Sequence, residues 1–276
     1  MIKKAMIPAA GYGTRSLPIT KVVPKELFPI GNKPAIHYVV EEAVLGGIEE
    51  ILIVVSRTKN MISDYFDRSL ELETFLKQNN KSHLLEKIKI PEIRIQYIRQ
   101  PYARGLGDAI LLGKSFAGND PFAVLLPDEV FLGQENIGLS QLVSQYKKYR
   151  KNVLGLSRVE EQKLSSYGVI SPEYKNDEFI KVASIIEKPK SNPPSNLAVI
   201  GRYIFNPTIF HFLEKTKPDG SGEIQLTDAM NAMLQFEDYD GVLIEGERYD
   251  ISKLEEYIAA NQYIQLSEDA VNRKIM

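Results

Sequence analysis

The chain has 276 residues, enough to bury a sizeable core as one large α/β domain or two smaller ones. Hydrophobic residues make up 43% and charged residues 25%, as in ordinary globular proteins, and the lack of cysteine excludes disulfides, thiolate catalysis and Cys-ligated zinc. With 34 basic and 36 acidic side chains the net charge is −2, so no bulk positive field is present to hold nucleic acid or an anionic membrane, and any phosphate must be held by local charge.

The first element is a short apolar run, Ala5 to Ile7, with the character of a buried strand. It breaks into a small-residue turn, Ala9-Ala10-Gly11-Tyr12-Gly13-Thr14-Arg15. Glycines let backbone amides approach a ligand without a Cβ in the way. Consecutive amides in such a turn form an anion-binding concavity. Arg15 and Lys25 add positive charge, which suits a ligand with several phosphates. Two familiar loops do not fit: Ser16 stands where a dinucleotide fingerprint needs its third glycine, and there is no Gly-Lys-Ser or Gly-Lys-Thr of a Walker loop. An ordinary strand-to-loop turn is the bland alternative.

Lys33 to Gly46 reads as a helix, with Pro34 in its first turn and Gly46-Gly47 ending it. Glu50 to Ser56 is a continuous apolar run, as in a parallel strand covered on both faces. Strand, helix, strand make a βαβ unit. Met61 to about Glu86 reads as two helices broken near Asn79-Asn80-Lys81, serving as cover or subunit contact. Ile93 to Arg99 is a strand, followed by Gln100, a glycine loop around Gly105 and a helix from Asp108 to Phe116. Pro121 to Leu126 is a buried strand ending in Pro127-Asp128-Glu129. Three strands that each end in a special loop suit an open α/β sheet, which binds ligands at the carboxyl ends of its strands.

Leu139 to Tyr149 is a helix and Asn152 to Val159 a strand. Ser166 to Ile170 opens a hairpin-like segment, and Phe179 to Ile186 leads into Glu187-Lys188-Pro189. Leu197 to Phe205 is a strand carrying Gly201-Arg202-Tyr203. Helices follow at Pro207 to Glu214 and Glu223 to Met233, then a strand at Tyr239 to Glu245. Tyr257 to Ser267 is a closing helix with a frayed tail.

One aspartate, Asp128, ends a buried strand, where a bare charge is costly without a partner. It is read as a helix cap or as a magnesium ligand, since magnesium takes one or two carboxylates plus substrate phosphates. Glutamine at position 100 offers a donor and an acceptor to a base edge. Glu187-Lys188-Pro189 alone is uninformative. His37, His83 and His211 have no metal-ligand spacing.

Taken together, Gly11-Tyr12-Gly13-Thr14-Arg15, Thr20-Lys21, Pro24-Lys25-Glu26 with Pro29, and Lys33-Pro34 form a long, specific string. It resembles the signature of sugar-nucleotide pyrophosphorylases, and most of all the bacterial UTP–glucose-1-phosphate uridylyltransferases. The likeness runs from Lys4 to about Asp250. It implies a Rossmann-like nucleotidyltransferase fold of the glycosyltransferase-A-like kind, with a mixed central sheet flanked by helices. It implies a single domain over residues 1–276, with a nucleotide-binding half at about 1–130, a sugar-binding half at about 131–255 and a C-terminal helix at about 256–276.

The resemblance also implies residue roles. Arg15, Lys25 and Lys188 are catalytic, and Asp128 and Asp250 hold Mg2+. Ala10, Gly11, Gly13, Thr14, Gln100 and Gly105 bind the nucleotide, with Ala10, Gly11, Gln100 and Gly105 reading uracil. Gly168, Glu187 and Lys188 bind the sugar phosphate. The implied reaction joins UTP and glucose 1-phosphate into UDP-glucose and pyrophosphate. The same chemistry on dTTP or another sugar is an alternative, as is a regulatory homologue with little turnover. Two departures stand out. The family's Gly-Leu-Gly-His-Ala is here Gly105-Leu106-Gly107-Asp108-Ala109, and the glycine two residues after Asp250 is Ser252. A serine there would be strained if the backbone were left-handed. The family suggests a homo-oligomer, a dimer or tetramer. No run approaches the roughly eighteen apolar residues of a membrane span, and Pro8 and Gly11 interrupt any leader-like region. A cytoplasmic protein with neither nucleic-acid nor membrane partners is expected.

Overall fold

The computed structural model describes residues 1–133, 138–175 and 179–275. Its centre is a nine-stranded sheet. In chain order its strands are β1 (Lys4–Pro8), then, after a two-stranded ladder of β2 (Pro29–Ile30) and β3 (Lys33–Pro34), β4 (Glu50–Val55), β5 (Arg94–Arg99) and β6 (Phe122–Leu125). β7 (Glu129–Leu132) leaves the sheet, and β8 (Asn152–Arg158), β9 (Gly168–Lys175), β10 (Ile180–Glu187), β11 (Leu197–Phe205) and β12 (Tyr239–Leu243) complete it. The spatial order is β5-β4-β1-β6-β11-β8-β12-β10-β9. β5, β4, β1 and β6 are parallel; β11 runs against β6 and β8, and β9 and β10 form an antiparallel hairpin. The sheet is therefore mixed, as the resemblance implies. β7 pairs instead with β13 (Glu247–Asp250), Asp250 opposite Glu129.

Strand alternation explains the layers. Ala5 and Ile7 of β1, and Ile51, Ile53 and Val55 of β4, face one apolar cluster. Helices α1 (Ala35–Leu45), α2 (Asn60–Phe66) and, after the more exposed α3 (Leu70–Gln78), α6 (Leu139–Tyr149) pack on that face. Met6 and Leu52 point to the other face, onto α4 (Leu106–Leu111), α5 (Lys114–Ala117), α7 (Ile209–Leu213) and α8 (Leu226–Met233). Burial on both faces is what the unbroken run Ile51–Val55 requires.

Several boundaries differ from the sequence reading. Lys33 and Pro34 lie in the short ladder, Pro34 opposite Pro29, so α1 starts two residues later than expected, at Ala35. The segment expected as one helix from Asp108 is α4 and α5, split at Gly113, whose missing Cβ would sit 2.4 Å from Met6 Sδ. The closing helix α9 runs from Leu254 to Ile275, longer at both ends than expected; Met276 lies outside the described residues. No helix among the described residues is long and apolar enough to cross a membrane.

Candidate active site

The chain steps from β1 out to β4 and β5, then returns to β6 on the other side of β1. This is a topological switch point, and the loops after β1 and β6 face each other there. The Ala9–Phe28 loop leaves β1 with the Ala9 N–H donating to Val54 O, 2.8 Å. Gly13 has φ +67° and a Cβ there would press on Thr20 at 3.0 Å, so the turn needs glycine. Thr20 Oγ1 donates back to Gly13 O, 2.9 Å. Gly11, Thr14 and Arg15 are exposed, while Ala10 packs on Val54 and Ala109. The far end of the loop is anchored by an ion pair: Lys59 Nζ donates to both oxygens of the fully buried Glu26, each at 2.8 Å. Burial depresses the Lys59 pKa against the pull of Glu26.

That anchor sets Lys25, the neighbour of Glu26, against Asp128. Lys25 Nζ lies 2.5 Å from Asp128 Oδ2. Burial works against both charges, yet Lys25 is held above its usual value by Asp128 and Glu26, and Asp128 below its own by Lys25. Asp128 is followed by β7 rather than by a helix, so the helix-cap reading fails. Its turn is pinned from beneath. Arg202, fully buried on β11, donates Nη1 to Leu126 O at 3.0 Å and Nη2 to Glu129 O at 2.6 Å. Its Nε and Nη2 also grip Glu42 of α1, both at 2.8 Å. The Ile251 N–H donates to Asp128 O, 2.9 Å, which brings the end of β13 alongside.

Asp250 is buried there. Its Oδ1 accepts from Ser252 N–H at 3.1 Å and Ser252 Oγ at 2.5 Å, and Ser252 Oγ accepts from Arg15 Nη1 at 2.7 Å. Arg15 Nη1 and Lys253 Nζ lie 3.8 and 3.3 Å from Asp250 Oδ2. Ser252 is not left-handed: among the described residues, those with positive φ other than glycine are Asn80, Arg150, Lys188 and Asn192. The expected strain is absent, and the serine instead joins Arg15 to Asp250. The motive for a regulatory homologue goes with it. Beside this cluster burial pushes the Glu129 carboxyl up to about 7; Arg248, 2.6 Å away, opposes this, and Asp250 and Asp128 add to it.

The remaining predicted residues form two flanking groups. Gln100 follows β5, its N–H held by Val55 O, and its side-chain Nε2 donates to Gly105 O (3.3 Å) and Asp108 Oδ2 (2.8 Å). Gly105 has φ +92° and a Cβ there would lie 2.7 Å from Ile224 O. Gly105→Ala is accordingly expected to cost about 1–3 kcal/mol of stability through backbone strain. A thermal melt matching the parent's would show that the loop can yield.

On the other side, Gly168 and Glu187 are register partners in the β9–β10 hairpin. Glu187 accepts from Thr227 Oγ1 at 2.7 Å and lies 3.0 Å from Lys188 Nζ. Lys188 sits at φ +44°, a conformation uncommon outside glycine, with its N–H on Tyr167 O at 3.0 Å. Tyr167 ties this group to the centre, its hydroxyl 2.5 Å from Lys253 Nζ. Sequence reading missed the supports Glu42–Arg202, Glu26–Lys59, Thr227 and Lys253. Of these, Glu26 stood in the string Pro24-Lys25-Glu26 and Arg202 in Gly201-Arg202-Tyr203, neither with a role of its own.

A cation flanked by two carboxylates and open to phosphates is compatible with Asp128 and Asp250. A closed cage is not, since no cluster of three or more His, Cys, Asp or Glu gathers among the described residues. The model of one family, the nucleotidyl transferases, matches residues 4–267. The chain belongs to this family. A Bacillus subtilis protein named as a putative UTP–glucose-1-phosphate uridylyltransferase is 54% identical over 94% of this chain and 95% of its own. The crystal structure of a UDP-glucose pyrophosphorylase complexed with UDP-glucose is 41% identical at a TM-score of 0.85, covering 97% of this chain and 100% of that one. A UTP-bound UGPase from Acinetobacter baumannii is 37% identical at a TM-score of 0.88, over 97% and 94%.

Proposed function

We propose that the chain transfers a uridylyl group from UTP to glucose 1-phosphate, giving UDP-glucose and pyrophosphate. The observation that carries this reading is the convergence of Arg15, Lys25, Asp128 and Asp250 at the switch point, in a chain so like proteins named for that reaction. A phosphomonoester's second pKa is about 6, so the sugar phosphate is largely dianionic at neutral pH and needs no general base. One of its oxygens bonds to the α-phosphorus as the bond to the β-phosphate oxygen breaks, and that electron pair leaves on pyrophosphate. Catalysis is then positioning and charge neutralisation.

Lys25 meets the α-phosphate, where charge develops. Arg15, with the amides around Gly13 and Thr14, holds the triphosphate and the departing pyrophosphate. Lys188 aligns the attacking phosphate while Glu187 and Gly168 contact the sugar. Ala10, Gly11, Gln100 and Gly105 read the base. Asp128 and Asp250 would hold Mg2+, which supplies further neutralisation of phosphate charge. In this reading the 276 residues form one domain, with nucleotide loops from β1 to β6 and sugar contacts from β9 and β10; it works in the cytoplasm as a homo-oligomer.

Pyrophosphate release from UTP and glucose 1-phosphate tests the proposal. Release is expected only with both substrates and magnesium, and EDTA should stop it. Release with dTTP or another sugar phosphate, but none with this pair, would move the specificity and keep the chemistry. Silence across all pairs would overturn the proposal.

A further inference from the structure

A side-chain amide is ambiguous: turned one way it offers its oxygen to a ligand, turned the other its NH2. Gln100 is not free to turn. Its Nε2 faces two groups that only accept, the backbone oxygen of Gly105 at 3.3 Å and Asp108 Oδ2 at 2.8 Å. A flipped amide would set oxygen against oxygen at both. The residue is 4% exposed, so the loss would not be repaired by water. Asp108 is itself fixed at the start of α4, with Arg104 Nε 4.0 Å away. Both N–H groups of the amide are thus spent on the protein. Gln100 Oε1 has no partner among the described residues, yet the buried side-chain atoms left unpartnered there are Tyr97 Oη and Asp240 Oδ1. The oxygen therefore reaches accessible space.

We propose that Asp108 is a specificity-determining positioning residue: it commits Gln100 to act as an acceptor alone, so the site takes a base whose ring nitrogen carries hydrogen and rejects one whose ring nitrogen is bare. The inference rests on the reading of Gln100 as a base-contacting residue. Uracil presents N3–H and matches. Neutral cytosine presents an unprotonated N3, which would meet Gln100 Oε1 lone pair to lone pair. A 5-methyl group leaves N3–H unchanged, so Asp108 should not discriminate against it. A buried polar group set to one role rejects the wrong partner far more strongly than an apolar wall does.

The test compares kcat/KM for UTP and CTP, with glucose 1-phosphate, in the full chain and in Asp108→Ala, Asp108→Asn and Gln100→Ala. Each ratio is internal to one preparation, so partial unfolding cancels. Asp108→Ala is expected to lose at least tenfold of the preference for UTP over CTP. Asp108→Asn, which keeps one acceptor oxygen, should retain more of it. The ratio of UTP to 5-methyl-UTP should stay at the parent value in both. A parent-like UTP-to-CTP ratio in Asp108→Ala overturns the proposal, as does an equal drop in the 5-methyl ratio, which would mean general loosening. Gln100→Ala separates the two levels. If it keeps the preference, the base-reading role itself is wrong; if it loses the preference and Asp108→Ala does not, only the role of Asp108 is. Should Asp108→Ala turn over neither nucleotide, the same ratio is read from calorimetric binding of UTP and CTP.

Discussion

Lys25→Ala is expected to lower kcat by about 10²- to 10³-fold, the usual loss when one preorganised group facing developing charge is removed. The ammonium lies 2.5 Å from Asp128 Oδ2 and is held there by the Glu26–Lys59 pair behind it. Its charge is therefore in place before any substrate arrives and needs no reorganisation during the reaction. Burial would favour the neutral amine, but Asp128 and Glu26 keep it protonated well above neutral pH. Lys25 consequently acts as a fixed cation in this scheme and not as a proton donor. The sign of that shift makes a second expectation: the kcat profile between pH 7 and 9 should show no limb from Lys25. Steady-state kinetics at saturating substrates measures the effect, with circular dichroism to confirm folding. Near-normal turnover in a folded variant would remove Lys25 from the mechanism. Lys25→Arg is not expected to restore the rate, because a planar fork does not fit the place of a point charge.

The glycine loops after β1 and β5 were legible in the sequence because they are local. Gly13 and Gly105 mark those loops, and the structure gives both a positive φ. Residues Glu50–Val55 announce a doubly covered strand, and helices cover both of its faces. The supports were not legible, because each joins residues far apart in the chain. Arg202 and Glu42 are 160 positions apart, and Arg15 and Ser252 are 237. Nothing in the composition of either neighbourhood predicts the meeting. Ser252 shows the opposite error. Read as a replaced glycine it suggested strain, yet the backbone there is ordinary and the hydroxyl adds a donor to Asp250 and an acceptor for Arg15. The split of α4 from α5 escaped notice for a packing reason: Gly113 makes room for Met6, which lies on another element altogether.

Arg202→Met is the substitution with the largest expected effect on stability. Arg202 is fully buried and Glu42 nearly so, and the pair is bidentate. Removing one member leaves an uncompensated carboxylate in the core, at a cost of about 3–5 kcal/mol. At roughly 2–4 °C per kcal/mol for a chain of this order of size, the melting temperature should fall by about 6–20 °C. The double variant Glu42→Leu with Arg202→Met removes the stranded charge and should regain much of that loss, since buried pairs often gain little over apolar residues of similar volume. Activity should not return with it. Arg202 also donates to Leu126 O and Glu129 O, which bracket the Pro127-Asp128 turn, and Glu42 accepts from the Leu139 N–H. Without those donors the turn loses its fixed position, and Asp128 is no longer presented to Lys25. The double variant should therefore melt above Arg202→Met alone while needing more magnesium than the parent for half-maximal pyrophosphate release. Full activity in a restabilised double variant would mean that the β6–β7 turn holds its own shape and that the buried pair serves stability alone.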